Sequence, residues 1–150
     1  MMEIKAVLIS SLLMLPIHAQ SEQALLSGVQ KNYHVNGQVQ LEQQYKNNKQ
    51  DGYVREYYPN GKLAFVQGMK DGKINGDVKA YYESGNLKGQ VRYIDNVQDG
   101  ISKEYYLNGQ IKEEVVYIDG QMMSLRQFDE NGKLTFSQTG KFDYGCAVVK

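Results

Sequence analysis

The chain is poor in the residues that most often carry chemistry: among 150 residues there are one cysteine, two histidines and no tryptophan. One cysteine excludes an internal disulfide framework, and the usual zinc sites lack ligands. Charge of either sign in excess is also missing. Lys plus Arg is 17 and Asp plus Glu is 17, so the formal net charge is zero. No long-range field gathers phosphate backbones or anionic lipid, and nucleic acid is disfavoured as a partner. No apolar run approaches the ~18 residues that a membrane helix needs, and the length suits one domain rather than two. What the chain holds in quantity is glycine, at 15, and tyrosine, at 12, which together point to turns and strands.

The first twenty residues belong to a different physical class. Met1–Lys5 carries one Lys and one Glu, Ala6–Leu15 is an uncharged apolar run, and Pro16, Ile17, His18 and Ala19 follow. This is the layout of a secretory signal peptide, and cleavage is expected after Ala19. The mature chain is then expected to be exported, with the periplasm as its oxidising compartment. No cysteine lies near the cleavage point, so a lipoprotein anchor is not expected. Cleavage would leave His34 as the single histidine. Cys146, close to the C-terminus, reads first as a small buried apolar residue and second as a reactive or intermolecular thiol.

An internal period organises the remainder. Gly37, Gly61, Gly85, Gly109 and Gly132 are spaced 24, 24, 24 and 23 apart, and Gly28, Gly52, Gly76 and Gly100 run at the same step of 24, continued by Ser124. Before each glycine of the first series the chain reads NYHVNG, EYYPNG, AYYESG, EYYLNG and QFDENG. Two places after it stand Val39, Leu63, Leu87, Ile111 and Leu134, and eight places after the first four stand Tyr45, Met69, Tyr93 and Tyr117. Asn-Gly and Asp-Gly between alternating residues are hairpin signals, because Asn tolerates and Gly favours positive φ. Each unit therefore reads as strand, tight turn, strand, looser turn, with Asp-Gly steps such as Asp51-Gly52 and Asp99-Gly100 in the looser turns.

Register follows from the turn. A three-residue loop Pro59-Asn60-Gly61, built as a type I turn plus a left-handed Gly, places Tyr58 opposite Lys62 and Tyr57 opposite Leu63. The column Tyr33, Tyr57, Tyr81, Tyr105 and Phe128 then shares a face with the aliphatic column. A two-residue loop would pair Tyr58 with Leu63 instead. The neighbouring column, His34, Tyr58, Tyr82, Tyr106 and Asp129, varies more, which favours the three-residue loop.

The pattern YY-x-N-G-x-L, followed by about ten residues and then a D-G, resembles the MORN-variant repeat. The resemblance covers roughly Gly28 to Phe136 in about four and a half units. It implies an all-β, solenoid-like array of antiparallel hairpins forming one elongated twisted sheet. Proteins built only from such repeats are grouped with the YwqK-type antitoxins, so the resemblance further implies neutralisation of a toxin by binding it. The last unit departs from the pattern, with Asp129 in place of the second aromatic and Ser124 in place of glycine, and reads as a capping repeat. The expected organisation is thus a leader at 1–19, a lead-in at 20–27, the array at 28–140 and a C-terminal cap or tail at 141–150.

Candidate binding residues come from two columns. Lys31, Arg55, Lys79, Lys103 and Arg126 stand six places before each first-series glycine, and period-two alternation sets them on the same face as Tyr57, Tyr81 and Tyr105. In one reading their stems cover the aromatic face and their heads reach water or a carboxylate such as Glu113. In the other they form a ladder of cations and phenols in a concave groove for an acidic or aromatic partner segment. Tyr58, Tyr82 and Tyr106 are expected on the opposite face with Glu56, Ala80 and Glu104, either covering it or serving as a second contact surface. Asp51, Asp71, Asp99 and Asp119 match no calcium loop and are expected to serve turn geometry. GxSxG, HExxH and P-loop motifs are absent from the sequence. The expectation is a non-enzymatic, exported protein-binding repeat protein of the antitoxin or immunity kind, with no catalytic residues, cofactor or metal. The alternative is an envelope scaffold contacting peptidoglycan, lipid headgroups or itself, with a homodimer formed through an open sheet edge.

Overall fold

The structure is a computed structural model and describes residues 25–140; the leader, most of the lead-in, the tail and Cys146 lie outside the described residues. Eleven strands follow one another: β1 (Gly28–Tyr33), β2 (Val39–Lys46), β3 (Lys49–Tyr57), β4 (Leu63–Lys70), β5 (Lys73–Tyr81), β6 (Leu87–Ile94), β7 (Val97–Gln98), β8 (Gly100–Tyr105), β9 (Ile111–Ile118), β10 (Gln121–Phe128) and β11 (Leu134–Thr139). All pairings are antiparallel, and spatial order is chain order, with β7 and β8 lying end to end beside β6. This is the expected all-β hairpin array in one open sheet. Strands make substantial contact only with the strands hydrogen-bonded to them, so stability is shared between nearest neighbours along the array.

Two turn types alternate. At one edge the three-residue loop is present: in the second unit the Gly61 amide donates to the Tyr58 carbonyl and the Tyr58 amide to the Lys62 carbonyl, both at 2.8 Å, with Gly61 at φ 80°. Tyr57 pairs with Leu63 and Glu56 with Phe65, which leaves Ala64 as a bulge. The same register recurs as Tyr33 with Val39, Tyr81 with Leu87, Tyr105 with Ile111 and Phe128 with Leu134. The opposite edge corrects the sequence expectation. Its turns are the tighter ones, two residues both at positive φ: Asn47-Asn48, Asp71-Gly72, Asp95-Asn96 and Asp119-Gly120, the type I′ geometry that matches strand twist.

The second glycine series therefore does not mark turns. Gly52 and Gly76 lie inside β3 and β5 at φ 117° and 103°, where the strand bulges against its predecessor: Gln67 pairs with Val78 but Met69 with Ile74. A Cβ at Gly52 would run into the Gln44 side chain. Asp51 and Asp99 precede these bulges and accept the Asp71 and Asp119 amides of the next turn, at 3.4 and 3.2 Å. The residue missing from the last unit is lost from this bulge, since Met122 pairs with Tyr117 and Ser124 with Val116.

Hydrogen bonds between units hold the array in register. The hydroxyls of Tyr58, Tyr82 and Tyr106 donate to the carbonyls of Tyr81, Tyr105 and Phe128 at 2.7, 2.7 and 2.9 Å. His34 Nε2 does the same to Tyr57 O at 2.8 Å. Turn asparagines repeat the device: Asn36 and Asn108 donate to Pro59 O and Glu130 O at 2.7 and 2.9 Å. In the last unit Asp129 instead accepts the Asn131 and Lys133 amides of its own loop.

Cross-strand pairs assign the faces. The back face carries the buried residues Val54, Val78, Val115 and Met69 together with the inter-unit tyrosines. The front face carries Tyr57, Tyr81, Tyr105 and the basic column. Among the described residues no second layer covers either face, so these valines are shielded by the side chains of their own face. Tyr82→Phe removes one inter-unit hydrogen bond and is expected to destabilise the chain by about 1 kcal/mol. Tyr81→Phe removes a hydroxyl that has no such inter-unit bond, and is expected to change the unfolding midpoint far less in the same urea titration.

Candidate binding face

One row of residues crosses the front face, each directly opposite the next. It runs Lys31, Glu42, Arg55, Val66, Lys79 on the first five strands, then Gln90, Lys103, Glu114, Arg126 and Ser137. The basic column occupies the odd positions because a unit is one hairpin, so the four even positions between its members are each flanked by two cations. The structure thus brings the predicted basic residues and Tyr57, Tyr81 and Tyr105 together on one face, and sets Tyr58, Tyr82 and Tyr106 on the other.

The row is electrostatically uneven. Glu42 receives Lys31 Nζ at 2.7 Å and Arg55 Nη1 at 3.7 Å, and the Tyr57 hydroxyl donates to it at 2.9 Å. Glu114 receives Lys103 Nζ at 3.3 Å and Arg126 Nη2. Glu114 is the one buried charged residue among the described residues, at 8% exposure. Buried charge is tolerated when it is paired in this way. The Lys31 hydrogen bond holds the Glu42 carboxyl below its ordinary value, with Tyr57 assisting and burial opposing. Arg126, then Lys103, lowers Glu114 against burial in the same manner. Burial, with Glu42 second, raises the Tyr57 phenol, and Glu42 raises Lys31.

Lys79 stands apart. Its row neighbours are Val66 and Gln90, and among the described residues it is the member of the basic column without a carboxylate partner. The Arg55 guanidinium also lies over the Tyr53 ring, 3.8 Å from its centroid. Sequence reasoning missed Glu42 and Glu114. It named Glu113, but that residue lies on the back face and accepts the Gln127 amide at 3.0 Å. The column that holds the two glutamates reads Glu, Val, Gln, Glu and so carries no visible repeat.

The remaining chemistry is modest. Surface depressions are shallow; one on the front face is lined by Asp77, Gln90, Arg92 and Ile101, and one on the back face by His34, Leu41, Glu56 and Tyr58. Among the described residues no group of three His, Cys, Asp or Glu could hold a metal ion. The tyrosines of the second column commit their hydroxyls to the array, leaving only ring surface for contact.

The MORN repeat variant pattern matches four consecutive stretches of the chain, residues 26–47, 50–71, 74–95 and 98–119, in phase with the hairpins. No curated protein matches. Among solved structures the chain is similar to the crystal structure of a mutant of S. aureus TarM in complex with Fondaparinux, alpha-GlcNAc-glycerol and UDP. The identity is 12% and the TM-score 0.39, over 59% of this chain and 18% of that one. The chain spans under a fifth of that protein, and the likeness bears on nothing functional.

The paired carboxylates set a pH dependence. Because the folded values of Glu42 and Glu114 lie below the ordinary 4.5, their contribution is present above that pH and is lost as pH falls through the depressed values. Glu114→Gln is expected to lower stability at neutral pH by ~1–2 kcal/mol, the cation heads being partly solvated. It should also flatten the acid limb below about pH 4.5 in chemical denaturation; an unchanged acid limb would show that the pair contributes nothing.

Proposed function

The chain belongs to the MORN repeat variant family, and we propose that it is a binding protein of the antitoxin or immunity kind, acting by covering the working surface of a partner protein rather than by catalysis. The observation that carries this reading is the front face: a broad, single-layer surface whose central cation has no carboxylate partner of its own among the described residues. Ten strands side by side at ~4.8 Å spacing and ~3.3 Å rise per residue give a face of about 43 by 20 Å. That matches the ~800 Å² per partner of a standard protein interface. Tyrosine-rich, half-buried surface with a basic row suits a contact of this size, since Tyr offers large area for few rotors. Export by the leader at residues 1–19 would bring the protein to where it meets a toxin of the cell envelope, and that part of the reading rests on the sequence pattern alone.

A second reading is favoured by one observation, the two sheet edges. Among the described residues both β1 and β11 have a strand on one side only, every residue of each is exposed, and Val29, Tyr33, Leu134 and Phe136 are among the exposed apolar side chains. An open edge of this kind pairs with other chains, as a scaffold that assembles with itself would require.

Lys79→Glu separates the two. It reverses the unpaired cation without opening either glutamate cluster, whereas reversing Lys103 would remove one of the two cations that hold Glu114. Affinity capture of the full chain from the cells that make it is expected to recover one stoichiometric protein with the unaltered chain and to lose it with Lys79→Glu. Self-association in sedimentation equilibrium together with retention on washed cell wall, and no protein partner, would replace the antitoxin reading with the scaffold.

A further inference from the structure

The front row shows within itself which group its donors can hold. Around Glu42 the array places two cations from the flanking strands and the phenol of Tyr57, and all three reach the carboxylate. One unit further on, the same positions place Arg55, Lys79 and Tyr81 around Val66. Two units on, they place Lys79, Lys103 and Tyr105 around Gln90. Neither Val66 nor Gln90 can supply a negative charge. The row therefore has four corresponding cradles, the last with Phe128 in place of the phenol. The outer two are closed by Glu42 and Glu114, and the inner two, which share Lys79, are open. Asp77 and Arg92 stand opposite each other across β5 and β6 beside the inner cradles and add one charge of each sign there.

We propose that the two open cradles sharing Lys79 receive the carboxylates of an acidic peptide segment of the protein partner. This rests on the protein-binding reading above and deepens it by naming the partner's chemistry. The carboxylate is the matching group because the outer cradles already hold one between donors of the same kind. The contacts it would gain are charge-assisted hydrogen bonds from Lys79 and from the cation that each open cradle shares with a closed neighbour, Arg55 or Lys103, together with one from the phenol. The open cradles lie two strands apart, so the carboxylates they accept are separated by ~10 Å, close to the ~9 Å of three residues of polyproline II chain, whose threefold repeat returns every third side chain to the same side. A lipid surface fits less well: five cations against two carboxylates, spread along the whole row, fall short of the compact basic cluster that anionic membranes select.

The probes are a fluorescein-labelled peptide with Glu at every third position and its Gln counterpart, titrated against the full chain at low salt. The Glu peptide is expected to bind about tenfold more tightly, with the preference fading as salt screens it. Lys79→Gln should erase that preference with the unfolding midpoint unchanged. Gln90→Glu, a near-isosteric change that closes one cradle from within, should weaken the peptide similarly while raising the midpoint. Lys62→Gln, an exposed cation off the row whose head donates to Ser84 O at 2.7 Å, should leave the peptide preference intact. Equal binding of the two peptides, equal effects of Lys79→Gln and Lys62→Gln, or binding of anionic phospholipid vesicles through Lys79 in place of the peptide would each overturn the proposal. A protein partner captured equally well by the unaltered chain and by Lys79→Gln would overturn it too, while leaving the protein-binding reading in place. The expected peptide behaviour with no protein partner captured would count against that reading and not against the cradles.

Discussion

Among the described residues the sheet has no second layer on either face and must find its stability within one layer, and the hydrogen bonds between consecutive hairpins supply the register that makes this workable. A lone hairpin is marginal in water. Each added unit brings another ladder, a tyrosine hydroxyl bonded to the next unit's carbonyl and a turn amide bonded back to the previous unit, as from Gly72 to Gln50 and from Gly120 to Gln98, both at 2.8 Å. Because these bonds leave from both edges of the sheet, sliding one hairpin by a residue would break them at both ends. The period of 24 is the length that returns all of these donors and acceptors to equivalent places.

The parts of the fold that depend on one residue type at one place were legible in the sequence. Gly61 must adopt a left-handed conformation, so its column is the same in every unit, and the loop length that follows from it sets the pairing of Tyr57 with Leu63. The second glycine column was equally visible but its meaning was not. An Asp-Gly step reads as a hairpin, yet Gly52 sits in a bulge while Asn47-Asn48 and Asp95-Asn96 make the turns, with Asn in positions where Gly would be the louder signal. Bulges need positive φ as turns do, and spacing alone does not separate them. The glutamates were illegible for a different reason. Their column changes from unit to unit, and a search for repetition passes over what varies.

That variation is where an array of identical hairpins can become specific. The glycine column of the three-residue loops is the same in every unit, and the tyrosine and asparagine columns vary little because their hydrogen bonds hold register. The even positions of the front row lie on strands whose backbone is already satisfied, so Glu, Val, Gln and Glu are all accommodated there. A change at these four places alters which cations are neutralised from within and which remain available, with little consequence for the ladder that holds the sheet.

The distribution of charge along the row also bears on the cost of binding. Glu42 and Glu114 fix the cations at the two ends in place, which limits the side-chain freedom those residues would otherwise lose on association. Lys79, between them, lies on a strand flanked on both sides by paired strands, so its backbone is held while the residue stays half-exposed. A partner carboxylate would meet Lys79 among donors already turned to the same face. The zero net charge of the chain is thus compatible with a local surplus of positive charge, because most of the compensating acids lie in the turns and on the back face, where the row does not feel them at close range.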